Sequence, residues 1–110
     1  MRYLYIVLLV LLTHCTHKHQ DSGAGSVKWK VNTDRIGWCS PAIGPEGTVY
    51  IGDNSGTLYA IRDLGDEWEY LWEPVKLDKD IGESCPTLTS DGESLYIGSN
   101  TRPASMYRID

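Results

Sequence analysis

The chain has 110 residues, which allow one domain at most, and its 41% hydrophobic and 23% charged residues are typical of a globular protein. The formal net charge of −5 argues against nucleic acid as a partner, because nucleic-acid binding needs a basic surface. All three histidines lie at or before position 19, so no Ser-His-Asp set can be assembled in the rest of the chain. We predict no catalytic residue.

Residues 1–14 have the pattern of a signal peptide. Arg2 supplies a positive charge, and the apolar run from Leu4 to Leu12 follows it. Nine residues are too few to span a bilayer, which takes roughly 20 residues, but they suit the hydrophobic region of a secretory signal. The start of the chain therefore predicts export.

The apolar run ends in Leu12-Thr13-His14-Cys15, which resembles the lipobox of bacterial lipoproteins. Leu12, Thr13 and Cys15 match that motif, whereas His14 stands where the family has a small residue. The resemblance implies lipidation of Cys15 and a lipid anchor at the periplasmic face of the outer membrane. The alternatives are anchoring in the inner membrane, an ordinary secretory signal that leaves a periplasmic protein, or an uncleaved anchor.

Residues 15–26 are polar and contain glycine and serine, so they predict a flexible tether. His17 and His19 lie in this tether near Cys15, but a lipidated cysteine has no free thiolate. We predict no metal site here.

Residues 40–62 predict an antiparallel meander. Three segments rich in apolar, β-branched or aromatic residues, 42–44, 48–52 and 57–62, alternate with turn sequences. Asp53-Asn54-Ser55-Gly56 could be taken for calcium ligands, but these residue types are the ones that tight turns require. Asp78 and Asp80, with a lysine between them, predict a solvated loop in the same way.

The same unit returns in residues 85–110. Pro41 and Pro86 are 45 residues apart, as are the turn glycines Gly47 and Gly92 and the pairs Ile36-Gly37 and Ile81-Gly82. The Tyr-Ile-Gly triplets that begin at Tyr50 and Tyr96 are 46 apart, which requires one inserted residue. A period in the mid-forties with four short strands is typical of a β-propeller blade.

The fourth strand of each unit is predicted from the tryptophan segments, residues 27–31 and 68–72, which alternate apolar and polar residues. Each segment precedes the proline of a meander, so we expect each to open a repeat. The predicted fold class is all-β, with two four-stranded antiparallel sheets forming blades of an incomplete β-propeller across residues 27–110.

The pattern of Trp29, then Ser40-Pro41-Ala42, then the Gly-Thr-Val-Tyr-Ile-Gly that starts at Gly47 resembles the PQQ-like β-propeller repeat. The resemblance implies a non-enzymatic scaffold for proteins or ligands, such as the lipoprotein subunit of the outer-membrane β-barrel assembly machinery. It also implies cell-envelope proteins as partners. No cofactor is expected in that case.

The alternative within the same family is the amino-terminal fragment of a quinoprotein dehydrogenase that carries pyrroloquinoline quinone (PQQ) and calcium. The blades of such enzymes end in a docking motif of Ala, Asp, Thr-Gly and Trp. Here Ala60 fits, but Arg62 takes the place of the Asp, and Gly65-Asp66 takes the place of Thr-Gly. The resemblance therefore favours the scaffold over the enzyme.

Three further residues invite a specific role. Cys39 and Cys85 both precede the repeat prolines, but they are one position out of phase, so their side chains are expected on opposite faces. Two buried free thiols are preferred over a disulfide between blades. Trp38 stands where Glu83 stands in the second repeat, and packing between blades is preferred for it over contact at the propeller rim.

The remaining tryptophans and most of the tyrosines are predicted to pack between blades: Trp29, Trp68, Trp72, Tyr50, Tyr59, Tyr96 and Tyr107. Two blades would leave two sheet faces uncovered, and closure of a propeller takes at least four blades. We therefore expect the chain to be part of a longer propeller, and to be marginally stable or self-associating alone.

Overall fold

The computed structural model describes residues 25–110. Within them the chain forms eight strands and no helix. The strands are β1 (Ala42–Ile43), β2 (Val49–Gly52), β3 (Thr57–Asp63), β4 (Trp68–Tyr70), β5 (Val75–Lys76), β6 (Thr87–Leu88), β7 (Leu95–Gly98) and β8 (Met106–Ile109). All pairings are antiparallel, so the prediction of an all-β protein with antiparallel sheets is confirmed.

The first sheet has the order β1-β2-β3-β4, and β5 also pairs with β3. β4 and β5 pair with opposite ends of β3, and residues 71–74 form the break between them. The amide of Leu71 still donates to the carbonyl of Ala60 at 2.9 Å, but Pro74 has no amide hydrogen to continue the pairing. The fourth strand is therefore interrupted.

The first sheet has five strands, of which β4 and β5 share the place beside β3, and the second has three in the order β6-β7-β8, so the prediction of two four-stranded sheets is wrong. Residues 27–31, predicted as a strand, form none, and Trp29 instead donates from its indole nitrogen to the Asp63 carboxylate at 2.9 Å. The segment around Trp68 completes the first sheet and does not open the second. A tight hairpin, with Leu64 N donating to Glu67 O, brings it back onto β3.

The two sheets share one hydrophobic core. Its fully packed members come from both sheets and from the connection between them: Tyr50, Leu58, Ala60, Ile81, Leu95 and Ile97. Ile81 lies in the connection, and no part of it is exposed. Gly52 makes room for it, because a β-carbon at position 52 would come within 2.6 Å of Ile81 Cδ1.

Equivalent residues of the two repeats face opposite ways relative to this core. Tyr50 is buried in the core, whereas Tyr96, at the same position of the second repeat, is 39% exposed. Leu58 pairs with Gly52 and is fully buried; Met106 pairs with Gly98 in the same manner and is 73% exposed. The sheets are therefore packed in the same sense, with one face of the first sheet against the opposite face of the second.

Candidate functional site

A groove of about 570 Å³ runs between β1 and β6, the first strands of the two sheets. It is lined by residues 42–45 and 86–90, none of which is ionisable. Each of the two strands pairs with a neighbour on one side only, so each offers an unpaired strand edge. An uncharged groove bounded by strand edges suits an extended polypeptide better than it suits acid-base chemistry.

Two equivalent turns meet at one end of the groove. Gly47 and Gly92 have φ angles of +78° and +74°, which a residue with a β-carbon rarely adopts, and this confirms the two predicted turns. Pro45 lies so close to Gly92 that a β-carbon there would come within 2.6 Å of its ring. The turn of the first repeat thus rests directly on that of the second.

Trp38 is 92% exposed, although it is among the largest apolar side chains of the chain. It lies four residues before β1, in a segment without regular structure. It does not pack between the two sheets of the described residues. An exposed indole is available for contact with a partner.

The thiols of Cys39 and Cys85 lie next to each other, and each affects the ionisation of the other. Cys39 is half-buried, and its thiol also donates to the carbonyl oxygen of Ser40 at 3.1 Å; Cys85 is exposed. No disulfide joins them in this structure. The prediction that both are buried is wrong for Cys85, and so is the expectation that they point apart.

The two thiols differ in acidity. Burial raises the pKa of Cys39 to about 12, and the neighbouring Cys85 acts in the same direction. The hydrogen bond from Cys39, followed by one from the Ser40 backbone, lowers the pKa of Cys85. Of the two thiols, the exposed Cys85 is therefore the one that loses its proton first.

Asp53 is a structural residue of the first sheet. It is fully buried, and one oxygen of its carboxylate accepts hydrogen bonds from the Ser55 amide and hydroxyl and from the Thr57 amide. The other oxygen accepts from the Tyr59 hydroxyl at 2.8 Å and from the Asp34 amide. Burial opposes ionisation of Asp53, but these hydrogen bonds outweigh it and lower its pKa.

The predicted turn at residues 53–56 is confirmed, and so is the loop at residues 78–80. The loop carboxylates have separate partners, because Asp78 accepts from the Tyr107 hydroxyl and Asp80 accepts from the Gly82 amide at 2.9 Å. Among residues 25–110, no three His, Cys, Asp or Glu side chains gather in a way that could hold a metal ion.

Of the aromatic residues predicted to pack between blades, Tyr50, Trp72 and Tyr107 join the core between the two sheets. Tyr50 contacts Trp72 with ring centroids 6.4 Å apart, and Tyr70 contacts both Tyr59 and Trp68. Tyr107 packs against the core from β8. The prediction is wrong for the other four among the described residues: Tyr59 and Trp68 contact Tyr70 within the first sheet, Trp29 hydrogen-bonds to Asp63, and Tyr96 lies on the outer face of the second sheet.

The predicted signal peptide, Cys15 and the tether up to residue 24 lie outside the described residues. In the part that is described, no helix is long and apolar enough to cross a membrane. Comparison of the sequence with protein-family models and with curated proteins found no match. The function therefore has to be inferred from the groove and the surfaces around it.

Proposed function

We propose that residues 27–110 are two neighbouring blades of a PQQ-like β-propeller, and that the protein is a non-enzymatic interaction scaffold. In this proposal an acylated Cys15 tethers it to the periplasmic face of the bacterial outer membrane. The partner is a protein of the cell envelope, bound as an extended segment along the groove between β1 and β6.

The observation that supports the blade architecture is the same-sense packing of the two sheets. A two-fold sandwich would bury equivalent residues on both sides of its interface, so Tyr96 would be buried with Tyr50. Neighbouring blades instead bury opposite faces, because each blade has one neighbour on either side. Tyr50 inside and Tyr96 outside fit the second arrangement.

The observations that support the binding role are the lining of the groove and the exposure of Trp38. The groove residues carry hydroxyl and apolar side chains without charge. A partner strand would gain backbone hydrogen bonds at a free edge and apolar contact with the indole. No cofactor is required for either contact.

The binding role is tested by photo-crosslinking in bacteria that express the chain with its own signal. A photoreactive residue at Thr87, in the groove, should give a discrete adduct with an envelope protein. The matched control carries the same residue at Asp66, an exposed turn position away from the groove, and should give none. Adding Trp38→Ala should reduce the Thr87 adduct by at least about tenfold. Equal adducts from Thr87 and Asp66 would contradict the proposed binding site.

The tether is tested separately by growth with labelled palmitate. The wild-type chain should incorporate label and fractionate with the outer membrane, and Cys15→Ser should do neither. Absence of label on the wild-type chain would remove the anchor from the proposal without affecting the groove.

A further inference from the structure

The contact between Cys39 and Cys85 joins the two repeats at the mouth of the groove. Cys39 lies three residues before β1, and Cys85 is followed directly by Pro86 of the groove lining. The segments that carry them are held together by a hydrogen bond from Gly37 N to Gly82 O of 3.1 Å. Apposition of the thiols is thus part of the packing of the two repeats.

We propose that Cys39 and Cys85 are a redox-active pair that closes to a disulfide between the two repeats by exchange with the disulfide of a thiol compound or protein. The disulfide would close a loop of chain that contains the whole first sheet, since all strands of that sheet lie between positions 39 and 85.

The environments of the two sulfurs assign their roles. Cys85 is exposed, and hydrogen bonds to its sulfur favour the thiolate, so it is the sulfur that an external disulfide meets. Cys39 is half-buried, and its sulfur reacts second. Cys85 causes part of the increase in the pKa of Cys39. That part of the increase disappears when the Cys85 sulfur enters a disulfide bond, because the sulfur then carries no charge.

The exchange proceeds in two balanced steps. The Cys85 thiolate attacks one sulfur of the external disulfide; that S–S bond breaks, and one thiolate leaves. Cys39 then loses its proton to solvent and attacks the Cys85 sulfur, which releases the second thiolate and forms the Cys39–Cys85 bond. The two cysteines have lost two electrons, and the external disulfide has been reduced to two thiols.

The test uses the full chain carrying Cys15→Ser, so that Cys39 and Cys85 are the only thiols. Mixtures of oxidised and reduced glutathione are equilibrated with it in native buffer and in concentrated guanidinium chloride. Intact mass after alkylation then gives the fraction in the intramolecular disulfide. The effective concentration of the pair should be at least about 100-fold higher in native buffer, because only the folded chain holds the thiols together.

Two variants in the same background separate the roles. Cys39→Ser should accumulate a mixed disulfide of glutathione with Cys85, and Cys85→Ser should react at least about tenfold more slowly. Closure of the bond should raise the midpoint of thermal unfolding by roughly 10 °C or more. Equal effective concentrations in the two solvents, or disulfides only between chains, would overturn the proposal. This test is independent of the membrane tether and of the groove partner.

Discussion

The amide of Gly37 donates a hydrogen bond to the carbonyl oxygen of Gly82 at 3.1 Å, although the two glycines occupy the same position in successive repeats. The backbones approach so closely that a β-carbon at position 37 would lie 2.6 Å from that oxygen. Gly82 in turn lies against Asn54, whose side-chain oxygen would overlap any β-carbon at position 82. The two repeats thus meet backbone to backbone, where only glycine fits.

The isoleucines that precede these glycines should differ greatly in their contribution to stability. Ile81 is fully buried in the core, whereas its equivalent Ile36 is 39% exposed. Ile81→Ala should lower the free energy of unfolding by about 2–5 kcal/mol, because it leaves a cavity between the sheets. Ile36→Ala is the matched control and should cost less than about 1 kcal/mol in urea unfolding. Similar losses for both variants would show that Ile81 does not join the sheets.

The turn glycines allow backbone strain to be separated from contact between repeats. Gly47→Ala places a side chain at positive φ in open space and should cost about 1–2 kcal/mol. Gly92→Ala adds the same strain and also pushes against the Pro45 ring, so it should cost about 1–3 kcal/mol more. Thermal unfolding of both variants gives the difference. A Gly92→Ala variant as stable as Gly47→Ala would mean that the two turns do not touch.

Asp53 should make the stability of the first sheet sensitive to acid. Its pKa in the folded chain lies below the value of about 3.9 expected when unfolded, so its contribution is complete above that pH and is lost as the pH falls through the folded value. Asp53→Asn should lower the free energy of unfolding at pH 7 by about 2–4 kcal/mol, because an amide nitrogen would face the donors that the carboxylate accepts. The difference in free energy of unfolding between wild type and Asp53→Asn should narrow steadily below about pH 4.

Asp91→Asn is the control for this effect. Asp91 lies in an exposed turn and accepts hydrogen bonds from the Thr89 hydroxyl and the Glu93 amide. Asp91→Asn should lower the free energy of unfolding at pH 7 far less than Asp53→Asn does in the same urea titration. A gap between wild type and Asp53→Asn that stayed constant down to pH 2 would contradict the assigned ionisation of Asp53.

The outer face of the second sheet should promote self-association. Met106 occupies the position of the buried Leu58 and yet is 73% exposed, beside the exposed Tyr96. Met106→Glu should raise the dissociation constant for self-association by at least about tenfold, measured by sedimentation, because it places a charge on that face. Leu64→Glu, at a 51% exposed apolar position in the β3–β4 turn, should leave association unchanged. Equal effects would show that the face itself has no special role.

The strands of the two meanders could be predicted from the sequence because their information is local. Turn glycines such as Gly47 and Gly92 stand between short runs of β-branched and aromatic residues, and those runs became β1, β2, β3, β6 and β7. Residues 27–31 have the same alternation but no strand beside them to pair with. The hairpin at Leu64 decides which segment pairs with β3 as the fourth strand. The alternation of apolar and polar residues does not predict that hairpin.

The contact between the cysteines was missed for a different reason. A one-residue offset places two side chains on opposite faces only when both segments are regular strands. Cys39 and Cys85 lie in irregular segments, so the offset carries no such meaning. Likewise, the groove depends on how two whole sheets are placed, which no single motif of the sequence specifies. The matched prolines, Pro41 and Pro86, were the only local signal near it.

The same-sense packing of the sheets has a consequence for how such chains change in length. Because the surface offered on one side of a unit complements the surface on its other side, adding or deleting a unit reuses the existing interface and demands no new one. Tandem duplication of a single coding segment is therefore a sufficient route to this architecture. The two units can then diverge at positions such as Trp38 and Glu83 without disturbing the interface between them.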